Sequence, residues 1–261
     1  MAASCVRLEI AGPRATVTLA NPAGRNAIGY DFCREFAEIG RQCAEAPDLR
    51  LVVVKAEGDM FSVGGNLREF MQWGEKAGDR VGASAQLLHE GVSRLHAGPA
   101  PVLLALNGMA AGAGFSLVCG ADFVIAARSA AMTSAYTKMG LSPDGGGSWF
   151  LPRIVGFRKA FELMALNPVI SAEEGLALGL VTEVVDDADL DAAVEAMASR
   201  LIALPGAALR RLKRLCRATE AHSLEEQLAL EAELIAESAS STEALSAMRA
   251  FFERAKETKS T

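Results

Sequence analysis

Two glycine-containing segments of the chain could hold a negatively charged oxygen. They read FSVGGNLR at residues 61–68 and NGMAAGAGF at residues 107–115, and each follows an apolar run and precedes a predicted helix. Small residues leave backbone N–H groups accessible, and the start of a helix adds a partial positive charge. Two such junctions could donate a pair of hydrogen bonds to one carbonyl oxygen. Each junction by itself is also typical of an ordinary strand-to-helix turn, so the residues leave both interpretations open.

Asp144 is a candidate acid or base, and it lies in the glycine-rich stretch PDGG at residues 143–146. An aspartate between proline and glycine is typical of a turn, and it can also cap the helix that follows. Taken without further context, the segment favours one of these structural roles.

Several familiar catalytic motifs are incomplete in this sequence. The three histidines do not form a zinc-binding pair on one helix, and the five cysteines include no C-x-x-C spacing. The GAG at residues 112–114 lacks the third glycine of a dinucleotide-binding loop, because Leu117 takes its place. Ser116 and Ser148 lack the last glycine of a hydrolase nucleophile elbow. We therefore expect no metal site, and the patterns disfavour nicotinamide binding and serine hydrolysis.

The composition indicates a globular protein with a large core. The chain has 261 residues, of which 51% are apolar and 22% charged. Lys and Arg number 26 against 32 Asp and Glu, a net charge of −6 without a block of like charge, which disfavours a nucleic-acid partner. The first 25 residues lack the pattern of a signal peptide, and the apolar runs are too short to span a membrane. The widely spread cysteines are typical of reduced thiols in a cytoplasmic protein.

Short apolar runs alternate with helical patterns up to about residue 187. Helices are predicted at residues 31–46 and 84–96. Strands are predicted as a hairpin and as three buried runs, at residues 5–10, 15–20, 51–55, 102–106 and 123–127. This alternation predicts an α/β core with covered parallel strands at residues 1–187. At residues 188–261 four helical patterns follow one another without a strand, which predicts a separate helical region.

The order of these segments resembles the enoyl-CoA hydratase/isomerase, or crotonase, superfamily. The resemblance includes both glycine junctions and residues 135–153, and it extends to NPAGRNA at residues 21–27, SAEEG at 171–175 and GLV at 179–181. It implies an α/β spiral of ββα units whose C-terminal helices assemble a homotrimer or a hexamer. It also implies an acyl-CoA substrate, with coenzyme A as part of the substrate and no separate cofactor.

The resemblance assigns roles to the residues of both junctions. The backbone N–H groups of Gly65 and Ala113 correspond to the two donors that bind the thioester oxygen, where an enolate develops negative charge. Seven residues are expected along the coenzyme A path, with the two arginines near phosphates: Arg25, Ser62, Gly64, Gly65, Asn66, Leu67 and Arg68. Either arginine could equally be a solvated surface charge.

The residues at the reacting centre favour isomerisation over hydration. Ser116 and Tyr136 stand where the family's hydratases have two glutamates, and neither hydroxyl is a general base near neutral pH. Asp144 corresponds to the single acid/base of isomerases similar to ring-1,2-epoxyphenylacetyl-CoA isomerase, whose segment resembles GLSPDGG at residues 140–146. We therefore expect Asp144 to move the proton, and Ser116 and Tyr136 to shape the substrate pocket.

Three alternatives to an isomerase stay open at this point. The first is an enoyl-CoA hydratase. The second is a hydrolase similar to the 4-chlorobenzoyl-CoA dehalogenases, which would use Asp144 as a nucleophile with His89 nearby, although Tyr136 replaces a tryptophan of that group. A lone histidine on an apolar helix is more often structural. The third is a coenzyme A-binding protein without catalysis, which Asp144 beside both junctions disfavours.

We predict a homotrimeric unit assembled through residues 188–261. The amphipathic helices there carry more apolar surface than a thin helical layer can cover, and the adjacent Phe251 and Phe252 cannot share one helix face. Sedimentation velocity at micromolar concentration should therefore give the mass of a trimer or a hexamer. A monomer at that concentration would contradict the prediction.

Overall fold

The computed structural model describes residues 4–257. The strands are β1 (Val6–Ala11), β2 (Arg14–Leu19), β3 (Leu51–Ala56), β4 (Met60–Ser62), β5 (Val102–Leu106), β6 (Met109–Ala111), β7 (Phe123–Ala127), β8 (Ala131–Thr133), β9 (Ile170–Ser171) and β10 (Glu183–Val185). The helices are α1 (Tyr30–Glu45), α2 (Leu67–Gln72), α3 (Ala77–Ala97), α4 (Ala113–Gly120), α5 (Gly147–Val155), α6 (Phe157–Leu166), α7 (Ala172–Ala177), α8 (Leu190–Ala203), α9 (Gly206–Ala218), α10 (Leu224–Ala239) and α11 (Thr242–Glu257).

The larger sheet has the order β1-β2-β3-β5-β7-β10. The predicted hairpin of β1 and β2 is antiparallel, and the pairs from β2 to β10 are parallel. Every residue of β5 is buried, as are the first four residues of β3. Continuous apolar runs of this kind are typical of parallel strands that are covered on both faces.

The smaller sheet, in the order β4-β6-β8-β9, repeats one connection three times. Each of β4, β6 and β8 follows a strand of the larger sheet within a few residues, and the three are parallel to one another. The predicted α/β class with repeated ββα units is therefore confirmed. The sequence pattern predicts no strand at β4 or β6, because three residues are too few to show a period of two.

Helices α1 and α3 approach each other at a pair of glycines. A β-carbon added to Gly40 would lie only 2.9 Å from the Cα atom of Gly91. Glycine at these two positions allows the helices to pack closely. Helix α3 begins at Ala77, earlier than the predicted residue 84. The two helices carry Cys33 and His89 towards the candidate site described below.

The chain divides into two compact units, one up to Ala198 and one from Ser199 onward. The helical run begins with α8 at Leu190, and the division between the two units falls inside this helix. Within the second unit, α9 and α10 are joined by ion pairs between Arg211 and Glu237 at 3.4 Å and between Arg214 and Glu233 at 3.7 Å.

Large apolar side chains of the second unit remain exposed. Phe251 and Phe252 are 65% and 64% exposed, and their rings contact edge to face. The oligomeric state stays a prediction.

Among residues 4–257 no single helix is long and apolar enough to cross a membrane. The bent pair Asp187–Ala203 and Gly206–Ala218 meets the same criteria of length and apolar composition when the two helices are taken together.

We expect Gly108→Ala to destabilise the first unit, since a β-carbon there would lie 2.2 Å from the carbonyl oxygen of Asp59. The loss should be about 1–3 kcal/mol in urea unfolding, as for other overpacking substitutions. Gly82→Ala is the matched control, because nothing lies within 4 Å of its added β-carbon and it occupies a helix. That variant should gain about 0.5–1 kcal/mol. Equal effects of both substitutions would contradict the prediction.

Candidate active site

The two glycine junctions contact each other at one edge of the smaller sheet. A β-carbon on Gly64 would lie 2.6 Å from the carbonyl oxygen of Ala111, and Gly64 has φ of +83°. Gly112 has φ of +53°, and an added β-carbon would be 3.6 Å from the Cα atom of Gly64. Both positions require glycine by conformation, and Gly64 also requires it for space. The ends of β4 and β6 are therefore held side by side.

The predicted oxyanion donors, Gly65 and Ala113, lie directly after these contacts. Gly65 and Ile28 form an isolated parallel β-bridge, whose hydrogen bonds are made by the two residues that flank Gly65. The Ile28 N–H donates to the Gly64 carbonyl at 2.8 Å, and the Asn66 N–H donates to the Ile28 carbonyl at 3.0 Å. Ala113 is the first residue of α4. Neither the N–H of Gly65 nor that of Ala113 donates to any group in residues 4–257. Ala113 is buried and Gly65 is half-buried.

Ser62 supports the first junction from inside the protein. Its side chain is fully buried, and its hydroxyl donates to the carbonyl of Asn26 at 2.7 Å and accepts from the N–H of Gly64 at 3.1 Å. Ser62 and Gly64, both expected along the coenzyme A path, are buried and do not line the cleft described next.

Asn26 is a second internal support, and its role was not visible in the sequence. It has φ of +52°, and its buried amide donates to the carbonyls of Glu57 and Met60 at 2.9 Å each. The amide oxygen accepts from the N–H of Asn21 at 3.0 Å. These bonds join the loop at residues 21–28 to β4. Asparagine tolerates the left-handed region better than most residues, which is the only local signal.

A cleft of about 940 Å³ runs beside the first junction. Asp31 and Glu69 contribute negative charge to its lining. Arg25 and Arg68 are exposed, so both guanidinium groups can reach an anion in the cleft. Five of the seven residues predicted for coenzyme A contact line the cleft: Arg25, Gly65, Asn66, Leu67 and Arg68.

Asp144, Tyr136 and Ser116 form one hydrogen-bonded cluster. The phenol of Tyr136 donates to Oδ1 of Asp144, and its oxygen lies 3.4 Å from the hydroxyl of Ser116. Ser116 is buried, and the other two are half-buried. A β-carbon on Gly112 would be 3.9 Å from Cζ of Tyr136, so the cluster lies next to the second junction. The sequence predicted the three residues but not their hydrogen bonds.

The Asp144 carboxylate is not the cap of α5. Gly146 precedes that helix without a side-chain cap, and the Asp144 backbone carbonyl, instead of the carboxylate, accepts from the N–H of Gly147 at 3.1 Å. Gly145 and Gly146 have φ of +59° and +83°. The turn interpretation is correct, the capping interpretation is wrong, and the carboxylate is left for other chemistry.

His89 binds the turn that carries Asp144. Its Nε2 atom accepts from the N–H of Gly145 at 3.0 Å, which assigns the proton of the neutral ring to Nδ1. Nε2 is thus occupied by the backbone.

Cys33 lies on α1, near Asp144. Burial, and then the charge of Asp144, raise the pKa of its thiol to about 12. Cys33 is therefore a neutral neighbour of the carboxylate, which sequence reasoning missed.

No group of three or more histidine, cysteine or acidic side chains within residues 4–257 is arranged to hold a metal ion. The chemistry available at this site comes from the paired N–H donors and from the Asp144 carboxylate.

Tyr136 should stay protonated at a pH at which an exposed tyrosine ionises. Burial, and then the charge of Asp144, raise the pKa of its phenol above the ordinary value. The part of the alkaline absorbance change that Tyr136→Phe removes should therefore occur at a higher pH in the folded protein than in the unfolded chain. The same midpoint in both states would disprove the buried, hydrogen-bonded placement.

Comparison with known proteins agrees with these features. The family model described as enoyl-CoA hydratase/isomerase matches residues 11–259. A protein of Rhodobacter capsulatus named as a probable enoyl-CoA hydratase is 36% identical over 253 residues, 95% of each chain. The 1,2-epoxyphenylacetyl-CoA isomerase of Escherichia coli K12 is 35% identical over 217 residues, 83% of each chain.

Solved structures lead to the same family. An enoyl-CoA hydratase from Polaromonas sp. JS666 has a TM-score of 0.89 at 34% identity, over 95% of this chain and 97% of that one. A Thermobifida fusca YX protein in complex with acetoacetyl-CoA has a TM-score of 0.80 at 33% identity, over 88% and 93% of the two chains. With its paired amide junctions and the family match over nearly its whole length, this chain belongs to the enoyl-CoA hydratase/isomerase family, the crotonase superfamily.

Proposed function

We propose that the protein is an acyl-CoA isomerase that shifts a double bond, or rearranges an epoxy-acyl group, through an enolate. The observation that carries this proposal is the cluster of Asp144 with Tyr136 and Ser116, in which Asp144 supplies the one carboxylate. Asp144 lies beside the paired junctions, and the two positions next to it hold the hydroxyls of Ser116 and Tyr136. One carboxylate is sufficient to move a proton from one carbon to another.

An acyl-CoA thioester fits the cleft and the junctions together. Exposed Arg25 and Arg68 can bind phosphate oxygens, for which guanidinium groups are well suited. The Escherichia coli relative is named for an acyl-CoA substrate, and the Thermobifida fusca neighbour holds acetoacetyl-CoA. Coenzyme A is then part of the substrate, and the proposed reaction needs no separate cofactor.

In the proposed mechanism, the two N–H groups bind the thioester oxygen and Asp144 transfers the proton. The thioester oxygen accepts from the N–H groups of Gly65 and Ala113, which stabilise the negative charge that develops there. Asp144 removes a proton from the carbon next to the thioester of a 3-enoyl-CoA. The C–H electron pair enters the conjugated enolate, and Asp144 returns the proton to the carbon at the far end. The double bond moves, and atoms and charge balance.

Hydration is the second candidate, because the Rhodobacter capsulatus relative is named as a probable hydratase. It requires one group to activate water and a proton donor at the neighbouring carbon. The raised pKa of Tyr136 keeps its phenol from acting as the base. Asp144 would have to perform both tasks. The hydrolase alternative is weaker still, since Nε2 of His89 is occupied by the Gly145 N–H.

We expect Asp144→Asn to lower the isomerisation of a 3-enoyl-CoA or an epoxyphenylacetyl-CoA by about 10²–10⁴ in kcat/KM. The amide keeps the size of the side chain but cannot accept the substrate proton. Calorimetry should still detect binding of the acyl-CoA, because both N–H donors are intact. Ser116→Ala is the control, and it should change turnover much less. Unchanged isomerisation in Asp144→Asn, or faster hydration of crotonyl-CoA than isomerisation in the native protein, would refute the proposal.

We expect Ala113→Pro to lower turnover by at least about 10²-fold, the scale for removing one oxyanion donor. Proline has no N–H, and the first position of a helix tolerates its ring, so α4 should still form. Ala113→Gly keeps the donor and should retain most activity. Thermal unfolding checks the fold of both variants. Full turnover in a folded Ala113→Pro variant would show that this N–H does not bind the substrate oxygen.

A further inference from the structure

We propose that Tyr136 is a positioning residue that holds one oxygen of the Asp144 carboxylate and leaves the other oxygen to exchange the proton with substrate. The inference rests on the proposed function, in which Asp144 is the acid/base. It revises the expectation that Tyr136 only shapes the pocket.

The first support is the direction of the hydrogen bond. The Tyr136 hydroxyl donates to Oδ1, and within residues 4–257 it is the one group that donates to this carboxylate. Oδ2 therefore remains open. Since a hydroxyl has a single proton and that of Tyr136 points to Oδ1, Tyr136 does not donate to Ser116, which lies 3.4 Å away. The Ser116 hydroxyl has two acceptors within reach, the Tyr136 oxygen and the Gly112 carbonyl at 3.5 Å.

The second support is the backbone that orients the phenol. Ala135 has φ of +60°, a conformation that residues with a β-carbon adopt rarely. Two backbone hydrogen bonds hold the next residue, Tyr136. Its N–H donates to the Ser134 carbonyl at 2.8 Å, and its carbonyl accepts from the Leu141 N–H at 3.1 Å. A costly conformation that is held by its surroundings is often found where a side chain must be aimed.

The other titratable groups around Asp144 do not substitute for this donor. Cys33, on α1, affects the carboxylate only through space, and burial keeps its thiol neutral by raising its pKa. His89, on α3, uses Nε2 to accept from Gly145. Burial together with the Asp144 charge raises the pKa of Tyr136, so its phenol keeps the proton that it donates to Asp144.

A positioned donor has a measurable chemical consequence. A hydrogen bond to the ionised carboxylate stabilises the charged form, so the base loses its proton more readily. Without it, the carboxylate holds a proton up to a higher pH, and it can also rotate away from the substrate. Both effects follow the strength of the donor and not the volume of the ring.

The test compares kcat/KM against pH for isomerisation of a 3-enoyl-CoA in the native protein and two variants. In Tyr136→Phe the acid limb should move to higher pH by about one unit, the scale of one hydrogen bond to a charged group. Replacing Tyr136 by 3-fluorotyrosine makes the phenol a stronger donor and should move the limb to lower pH. Ser116→Ala, which removes a hydroxyl that contacts Tyr136 but does not bond to Asp144, should move the limb much less than Tyr136→Phe does.

A rate loss in Tyr136→Phe that is the same at every pH, with no shift in the fluorotyrosine protein, would overturn the inference and leave a space-filling role. A readout without substrate separates this failure from that of the proposed function. Carbon-13 NMR follows the Asp144 carboxyl, whose signal is the one missing in Asp144→Asn, through an acid titration of each protein. A shifted titration with unaffected turnover in Asp144→Asn would sustain the positioning role and refute Asp144 as the acid/base.

Discussion

The approach of Gly64 to the Ala111 carbonyl is the contact on which the rest of the site depends. A side chain at residue 64 would begin 2.6 Å from that oxygen, and the two junctions would have to separate. Because β4 and β6 are neighbouring parallel strands, their ends meet at one edge of the sheet. The N–H groups of Gly65 and Ala113 then lie one residue beyond a fixed contact, with no acceptor of their own in the described part of the chain.

Helix α4 contacts both parts of the candidate site, the second glycine junction and the cluster around Asp144. Ala113 begins the helix, and Ser116 lies on its first turn, against the phenol of Tyr136. The β-carbon of a residue at 147 would lie 2.5 Å from the Ser116 hydroxyl, so the turn that carries Asp144 packs tightly on the same helix. A displacement of α4 would therefore disturb the amide pair and the carboxylate together.

The reacting centre distinguishes chemistry within a shared fold. In the proposed mechanism the backbone supplies the oxyanion donors, and these depend little on side-chain identity, since the N–H of an alanine can donate as well as that of a glycine. The proposed choice of isomerisation over hydration depends instead on the side chains at residues 116, 136 and 144. In this chain they are a serine, a tyrosine and an aspartate in one hydrogen-bonded cluster, of which the aspartate is the one carboxylate.

Local patterns in the sequence determined the buried strands β3 and β5, the two glycine junctions and the candidate carboxylate. Each of these depends on residues that are neighbours along the chain, such as the apolar run at 51–54 or the glycines around Asp144. Tertiary structure alone decided the short strands β4 and β6, and the bonds of Asn26 to carbonyls 31 and 34 residues away. The same holds for the bond from Gly145 to His89, across 56 residues. Such contacts depend on strand register and helix packing, which no local pattern encodes. The sequence therefore indicated the candidate residues, and the tertiary structure decided which of their atoms form hydrogen bonds.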